Sequence, residues 1–183
     1  MTVVYNRIAL IGLGLIASSM FWSIRRGNLA QEVVGFAKSE KTRDTAKSIG
    51  LCDHVFNNLK DTVNDADLVV LCTPVGVMGE VVEQIAPYLK KGATLSDVGS
   101  VKRAVLDAVE PLIPQDVYFV PAHPLAGTEH SGPESGFSSL FENRWCILVP
   151  TTSSTPNAVE KLTRLWTGMG ALVDQMDADR HDL

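Results

Sequence analysis

Apolar and polar positions alternate along this chain on two length scales. Short, mainly apolar runs, of which LVVLC over 68–72 is unbroken, recur between longer stretches in which apolar residues return every three or four positions. The short runs predict strands buried on both faces, and the longer stretches predict helices with one apolar side. Strands are expected at Arg7–Gly12, Val33–Ala37, Leu68–Cys72, Thr94–Val98 and Val117–Pro121. Helices are expected at Leu15–Arg26, from Ser39 to Ile49, at Val77–Leu89 and at Val101–Leu112. Gly27 and Gly50 stand just past two of these helices, where a left-handed residue ends the run, and Ser39 can cap the second. Regular strand–helix alternation predicts an α/β fold, a mainly parallel sheet with helices on both faces.

After Pro121 the pattern changes. His123–Phe137 (HPLAGTEHSGPESGF) is rich in glycine and proline and has no apolar period. It is too long for a simple connection and reads as a functional loop. A strand at Cys146–Val149, a helix at Pro156–Met169 and a strand at Ala171–Gln175 follow, and Asp177 or Asp179 can cap one more helix. The apolar segment Ile8–Trp22 could pass for a leader or a membrane span. It is shorter than the ~20 residues a span needs and holds two glycines, so it reads as strand, turn and helix start.

Composition narrows the classes. The 183 residues are 45% apolar and 20% charged, enough for a sizeable core. Sixteen basic against 21 acidic residues leave a formal net charge of −5, a poor balance for binding nucleic acid through phosphates. Cys52, Cys72 and Cys146 have no paired or metal-ligand spacing, which argues against a disulfide scaffold or a metal site and fits the cytoplasm.

Gly12-Leu13-Gly14-Leu15-Ile16-Ala17 fits G-x-G-x-x-A between an expected strand and an expected helix. Gly12 allows the tight turn, Gly14 lets a pyrophosphate approach, and the helix start offers free N–H groups and partial positive charge. The fold is therefore read as Rossmann-like. In such sites an acidic residue ends the second strand and holds the ribose of NAD. Here that position is Ala37, followed by Lys38, Ser39, Lys41 and Arg43. The expectation is NADP or NAD, leaning to NADP, with Lys38 and Ser39 at the 2′-phosphate. A solvated basic helix start is the alternative.

Ligands of open α/β sheets bind beyond the carboxyl ends of the strands. Three such ends carry unusual residues: Cys72-Thr73-Pro74, then DVGSVK over 97–102, then HPLAGTEHSG over 123–132. Taken with GLGLIA over 12–17 and LFENRWCILVP over 140–150, this order and spacing resembles the prephenate and arogenate dehydrogenases of tyrosine biosynthesis. Asp179-Arg180-His181-Asp182 is similar to the opening of that family's helical second domain. The resemblance divides the chain into an NAD(P)-binding domain, 1–176, and the first residues of a truncated second domain, 177–183. It implies a homodimer for the full-length family and no nucleic-acid or membrane partner.

The resemblance implies oxidative decarboxylation of prephenate, L-arogenate or both, with hydride transfer to NAD(P)+. His123 then hydrogen-bonds the substrate's ring hydroxyl and assists its deprotonation; an imidazole titrating near neutral pH suits that task. Ser100 orients the histidine and touches substrate, and it is equally placed to cap the helix from Val101. Thr128 and Glu129 belong to a loop over the substrate, and Glu129 could equally be a solvated charge. Gly12, Gly14, Leu15, Ile16, Thr73 and Pro74 hold the cofactor. Arg144 and Lys102 are read as structural, and His54, His130 and His181 as surface or structural. Two other readings stay open: another dehydrogenase on the same nucleotide-binding unit, and a nucleotide-sensing domain without turnover.

Overall fold

A computed structural model of the chain describes residues 2–183. Its main sheet has six strands: β1 (Tyr5–Ile11), β2 (Ala30–Phe36), β3 (His54–Phe56), β4 (Leu68–Leu71), β5 (Thr94–Asp97) and β6 (Tyr118–Phe119). They run parallel in the order β3-β2-β1-β4-β5-β6. Strand order reverses beside β1, so a crevice opens between the carboxyl ends of β1 and β4. Register sets those ends in a row, with Ile11 opposite both Phe36 and Leu71, and Leu71 opposite Asp97.

Among the described residues, seven α-helices accompany the strands: α1 (Leu15–Gly27), α2 (Glu40–Ser48), α3 (Leu59–Val63), α4 (Val75–Ile85), α5 (Arg103–Val109), α6 (Pro156–Gly168) and α7 (Ala178–His181). One apolar core joins β1 and β2 to α1 and α6 through Ile8, Leu10, Val33, Met20, Leu162 and Trp166. The second joins the opposite face to α3, α4 and α5 through Ala9, Ile11, Val63, Met78, Val82 and Val105. The predicted two-sided covering is therefore present. No helix among the described residues is long and apolar enough to cross a membrane.

Three features differ from the sequence expectation. The stretch between Gly50 and Leu68, where no element is predicted, forms β3 and α3. Asn58 starts α3, its side-chain oxygen accepting from Asp61 N at 2.8 Å and its amide donating to the Asp61 carboxylate at 2.9 Å. The strand expected over Val117–Pro121 stops at Phe119, and the chain then leaves the main sheet. Pro121 has no N–H to extend the ladder. The next residues form β7 (Ala122–Pro124), which runs antiparallel to β8 (Trp145–Leu148), itself parallel to β9 (Leu172–Gln175). His123 therefore lies inside a strand of a second, three-stranded sheet instead of in a loop.

The irregular segment after Pro124 is docked on α1. Phe137 N donates to Ser19 Oγ at 3.1 Å, and a Cβ at Gly136 would overlap Ser18 Oγ and lie 2.7 Å from Ser19 N. Small residues on both sides permit that approach.

Candidate functional site

The glycine turn has the geometry its sequence predicts. Gly12 has φ +96°, and a Cβ there would sit 3.0 Å from the Cys72 carbonyl oxygen, so a side chain is excluded twice over. Gly14 holds the N-cap position of α1 with nothing within 4 Å of where its Cβ would be. No side chain caps α1, and its first turn has no acidic residue. The amides around Leu15 and Ile16 are therefore left to a bound anion. Thr73, just past β4 and packed against Gly12, has a buried hydroxyl with no hydrogen-bond partner. Pro74 is exposed at the start of α4. Open space over Gly14, free helix amides and an unsatisfied hydroxyl together fit a dinucleotide.

At the end of β2, Ala37 is buried and offers no charge. Arg43 folds back over this position and donates to the carbonyls of Ala37 and Lys38, both at 2.8 Å. Lys38 is exposed, and Ser39 Oγ accepts from Thr42 N at 3.3 Å to cap α2.

The carboxyl end of β5 is built on a buried ion pair. Asp97 and Lys102 have fully buried side chains and meet at 2.5 Å. Burial pushes the Asp97 carboxyl up and the Lys102 ammonium down, while each charge opposes the shift of the other. Asp97 also accepts from Gly99 N at 2.9 Å and Ala122 N at 3.1 Å, and Lys102 donates to Ala122 O at 2.7 Å. Both backbone groups of Ala122 are thus tied to the Asp97–Lys102 pair, which sets the following residue, His123, at the carboxyl edge of the main sheet.

His123 is half-buried, and burial pushes its imidazole down to about 4; a second imidazole and Lys102 act the same way and Asp182 opposes them. At neutral pH it is uncharged and able to accept a proton. Its Nδ1 lies 2.8 Å from Nε2 of His181, whose side chain is 6% exposed. His181 Nδ1 lies 2.7 Å from Asp182 Oδ1. Among the described residues the side-chain partner of His123 is thus His181, a residue the sequence reading leaves as surface or structural. Ser100 is exposed at the same strand edge, and no hydrogen bond joins it to His123.

The expected capping role of Ser100 is corrected. Helix α5 begins at Arg103, and Asp182 bonds its start from 80 positions away, accepting from Lys102 N at 2.8 Å and Arg103 N at 2.9 Å. Those two amides and the His181 ring hold the Asp182 carboxyl down at about 2.

Thr128 and Glu129 lie on the exposed part of the docked segment. Thr128 Oγ1 accepts from His130 N at 3.0 Å, and Glu129 stands 3.5 Å from the His130 ring. Both contacts stay within the segment, so neither residue is brought onto His123. Arg144, His54 and His130 are exposed. Among the described residues no cluster of three or more His, Cys, Asp or Glu side chains is arranged for a metal ion.

Residues 22–175 match the profile of a family described as prephenate dehydrogenase, nucleotide-binding domain. The cyclohexadienyl dehydrogenase of Zymomonas mobilis is 40% identical over 179 residues, covering 98% of this chain and 61% of that protein. The prephenate dehydrogenase of Bacillus subtilis is 31% identical over 97% of this chain and 48% of its own length. The crystal structure of A. aeolicus prephenate dehydrogenase with hydroxyphenyl propionate and NAD+ superposes with a TM-score of 0.88 at 27% identity, covering 96% of this chain and 61% of that one. The Synechocystis arogenate dehydrogenase gives the same score, identity and coverage. The chain thus spans 48–61% of the length of the curated relatives named here. The glycine turn and the His181–Asp182 pair lie outside the profile match. With its parallel sheet, uncapped helix start and histidine at the strand edge, the chain belongs to the prephenate dehydrogenase family, of which it carries the nucleotide-binding domain.

Proposed function

We propose that this chain binds NAD(P)+ across the carboxyl ends of β1 and β4 and supports oxidative decarboxylation of prephenate or L-arogenate, with His123 as the proton acceptor. One observation carries the reading: His123 is uncharged, is anchored through Nδ1, and follows Ala122, which the Asp97–Lys102 clamp holds at the carboxyl end of β5, the same edge of the sheet from which the glycine turn leaves β1. Its Nε2 stays available for the substrate's ring hydroxyl.

Bound nicotinamide supplies the hydride acceptor; the chain's own groups do the rest. The free amides at Gly14–Ile16 hold the pyrophosphate, and the Thr73 hydroxyl finds a partner there. His123 takes the hydroxyl proton as the ring becomes aromatic and carbon dioxide leaves. Ser100 at the same edge contacts substrate, and Thr128 and Glu129 close over it from the docked segment. NADP is preferred at the β2 end. The Arg43 guanidinium is fixed there, Lys38 is free in solvent, and Ser39 keeps its hydroxyl hydrogen for a phosphate oxygen. The reading extends to residues 1–176 as the nucleotide domain, 177–183 as the start of a helical unit, a homodimer for the complete protein, and the cytoplasm as location.

Turnover is measured with prephenate or L-arogenate, each with NAD+ or NADP+, next to a binding titration of both nucleotides. Reduction in any combination is expected, with tighter binding of NADP+. His123→Asn should keep nucleotide binding and lower turnover by about 10²–10⁴-fold, the scale of a general base. Nucleotide binding without reduction in any combination overturns the catalytic reading. Unchanged turnover in the variant removes His123 from the reaction, and NADP+ binding no tighter than NAD+ ends the preference.

A further inference from the structure

We propose that His181 is a positioning residue that decides which nitrogen of His123 carries the proton. The inference rests on the function proposed above, because the nitrogen it frees is the one assigned there to the substrate hydroxyl.

The contacts have a direction. Asp182 is ionised at neutral pH and can only accept, so His181 Nδ1, 2.7 Å away, carries a hydrogen. A neutral imidazole with its hydrogen on Nδ1 has its lone pair on Nε2. That Nε2 lies 2.8 Å from His123 Nδ1, so His123 donates across the gap. The hydrogen of His123 then sits on Nδ1, and Nε2 is left bare. The rings meet edge-on, with centroids 5.0 Å apart and planes at 66°.

The arrangement is held from outside the pair. Asp182 is fixed by the two amides at the start of α5, and His181, 6% exposed, is shielded from competing water. A further proton on His181 Nε2 would reverse the polarity, leaving His123 to present an N–H where a base is needed. The groups facing the pair are Asp97 at the end of β5, Cys146 on β8, and Lys102, Arg103 and Asp182 at the start of α5.

Imidazole nitrogen NMR on the isotope-labelled 183-residue chain at neutral pH reads the tautomer without any turnover. His123 is expected with hydrogen on Nδ1 and a bare Nε2. In His181→Phe, which keeps a ring and removes the acceptor, that fixed state should be lost. In His181→Gln, whose amide oxygen can accept, it should be partly restored. Hydrogen on Nε2 in the unaltered chain overturns the proposal, as does an unchanged His123 tautomer in both variants. In the turnover assay, His181→Phe should lower kcat by about 10–100-fold, the usual cost of an outer-shell partner, with KM nearly constant and His181→Gln in between. A change confined to KM also overturns it. Should the tautomers be as expected while His123→Asn keeps full turnover, the reaction assigned to His123 fails and the tautomer assignment survives.

Discussion

An ammonium without water is costly unless its partners are fixed in place. Lys102 meets that condition twice, through a carboxylate at 2.5 Å and a carbonyl at 2.7 Å. Its sequence position, near the expected start of a helix, marks it as structural but not as buried. Lys102→Met keeps the volume and strands Asp97, so it should cost about 3–5 kcal/mol in urea denaturation. A loss below about 1 kcal/mol would mean that Asp97 is satisfied by its two amides alone. His123 carries a separate signature. Its folded pKa of about 4 lies below the ~6.5 of an unfolded histidine. Between those values the unfolded chain binds a proton that the folded chain refuses. Stability contributed by the neutral ring is therefore whole above about pH 6.5 and is lost as pH falls toward 4. His123→Asn should flatten that part of the stability–pH curve, and an unchanged slope would place the titration elsewhere. His181 was invisible as a partner because its role depends on a contact spanning 58 positions, which no local pattern encodes.

At the scale of elements, legibility follows burial. β1, β2, β4 and β5 sit inside the sheet and each carries a buried, mainly apolar run, unbroken only in β4, so these runs stand out. β3 is a three-residue edge strand with an exposed histidine, and its run is too short to register. The helix behind it carries a capping signal in Asn58 and Asp61 that the predicted elements leave out. Ser100 shows the opposite failure. A serine before an amphipathic run is a sound cap in isolation, but here a carboxylate from the far end of the chain occupies the amides instead. The docked segment makes a further prediction at this scale. Gly136→Ala places a methyl against Ser18 and Ser19, so either α1 or the segment must yield. A cost of about 1–3 kcal/mol is expected, together with faster protease cleavage between residues 125 and 140. Unaltered cleavage would show that the segment is held by other contacts.

Across the whole molecule, the α/β class, the two covered faces and the position of the cofactor turn were all readable, because each rests on a pattern local to one or two elements. The division into two sheets was not. It depends on Pro121 ending one ladder while Asp97 receives the next amide, an exchange between residues 25 positions apart. Nucleotide binding should stabilise this whole assembly. At a ligand concentration of 100 Kd the gain is about 2.7 kcal/mol, so the melting temperature should rise with either nucleotide and rise further with NADP+. No rise with either would leave the glycine turn as packing only.

The capping of α5 by Asp182 also has a temporal side. Domains begin to organise from their N-terminal portion while synthesis continues. The sheet, the cofactor turn and His123 itself are made before residue 181 exists. Until the ribosome has released residues 181 and 182, the helix behind Ser100 lacks its cap and His123 lacks its partner imidazole. A nascent chain can therefore assemble a nucleotide cleft before it possesses an oriented base, and the orientation arrives only with residues 181 and 182.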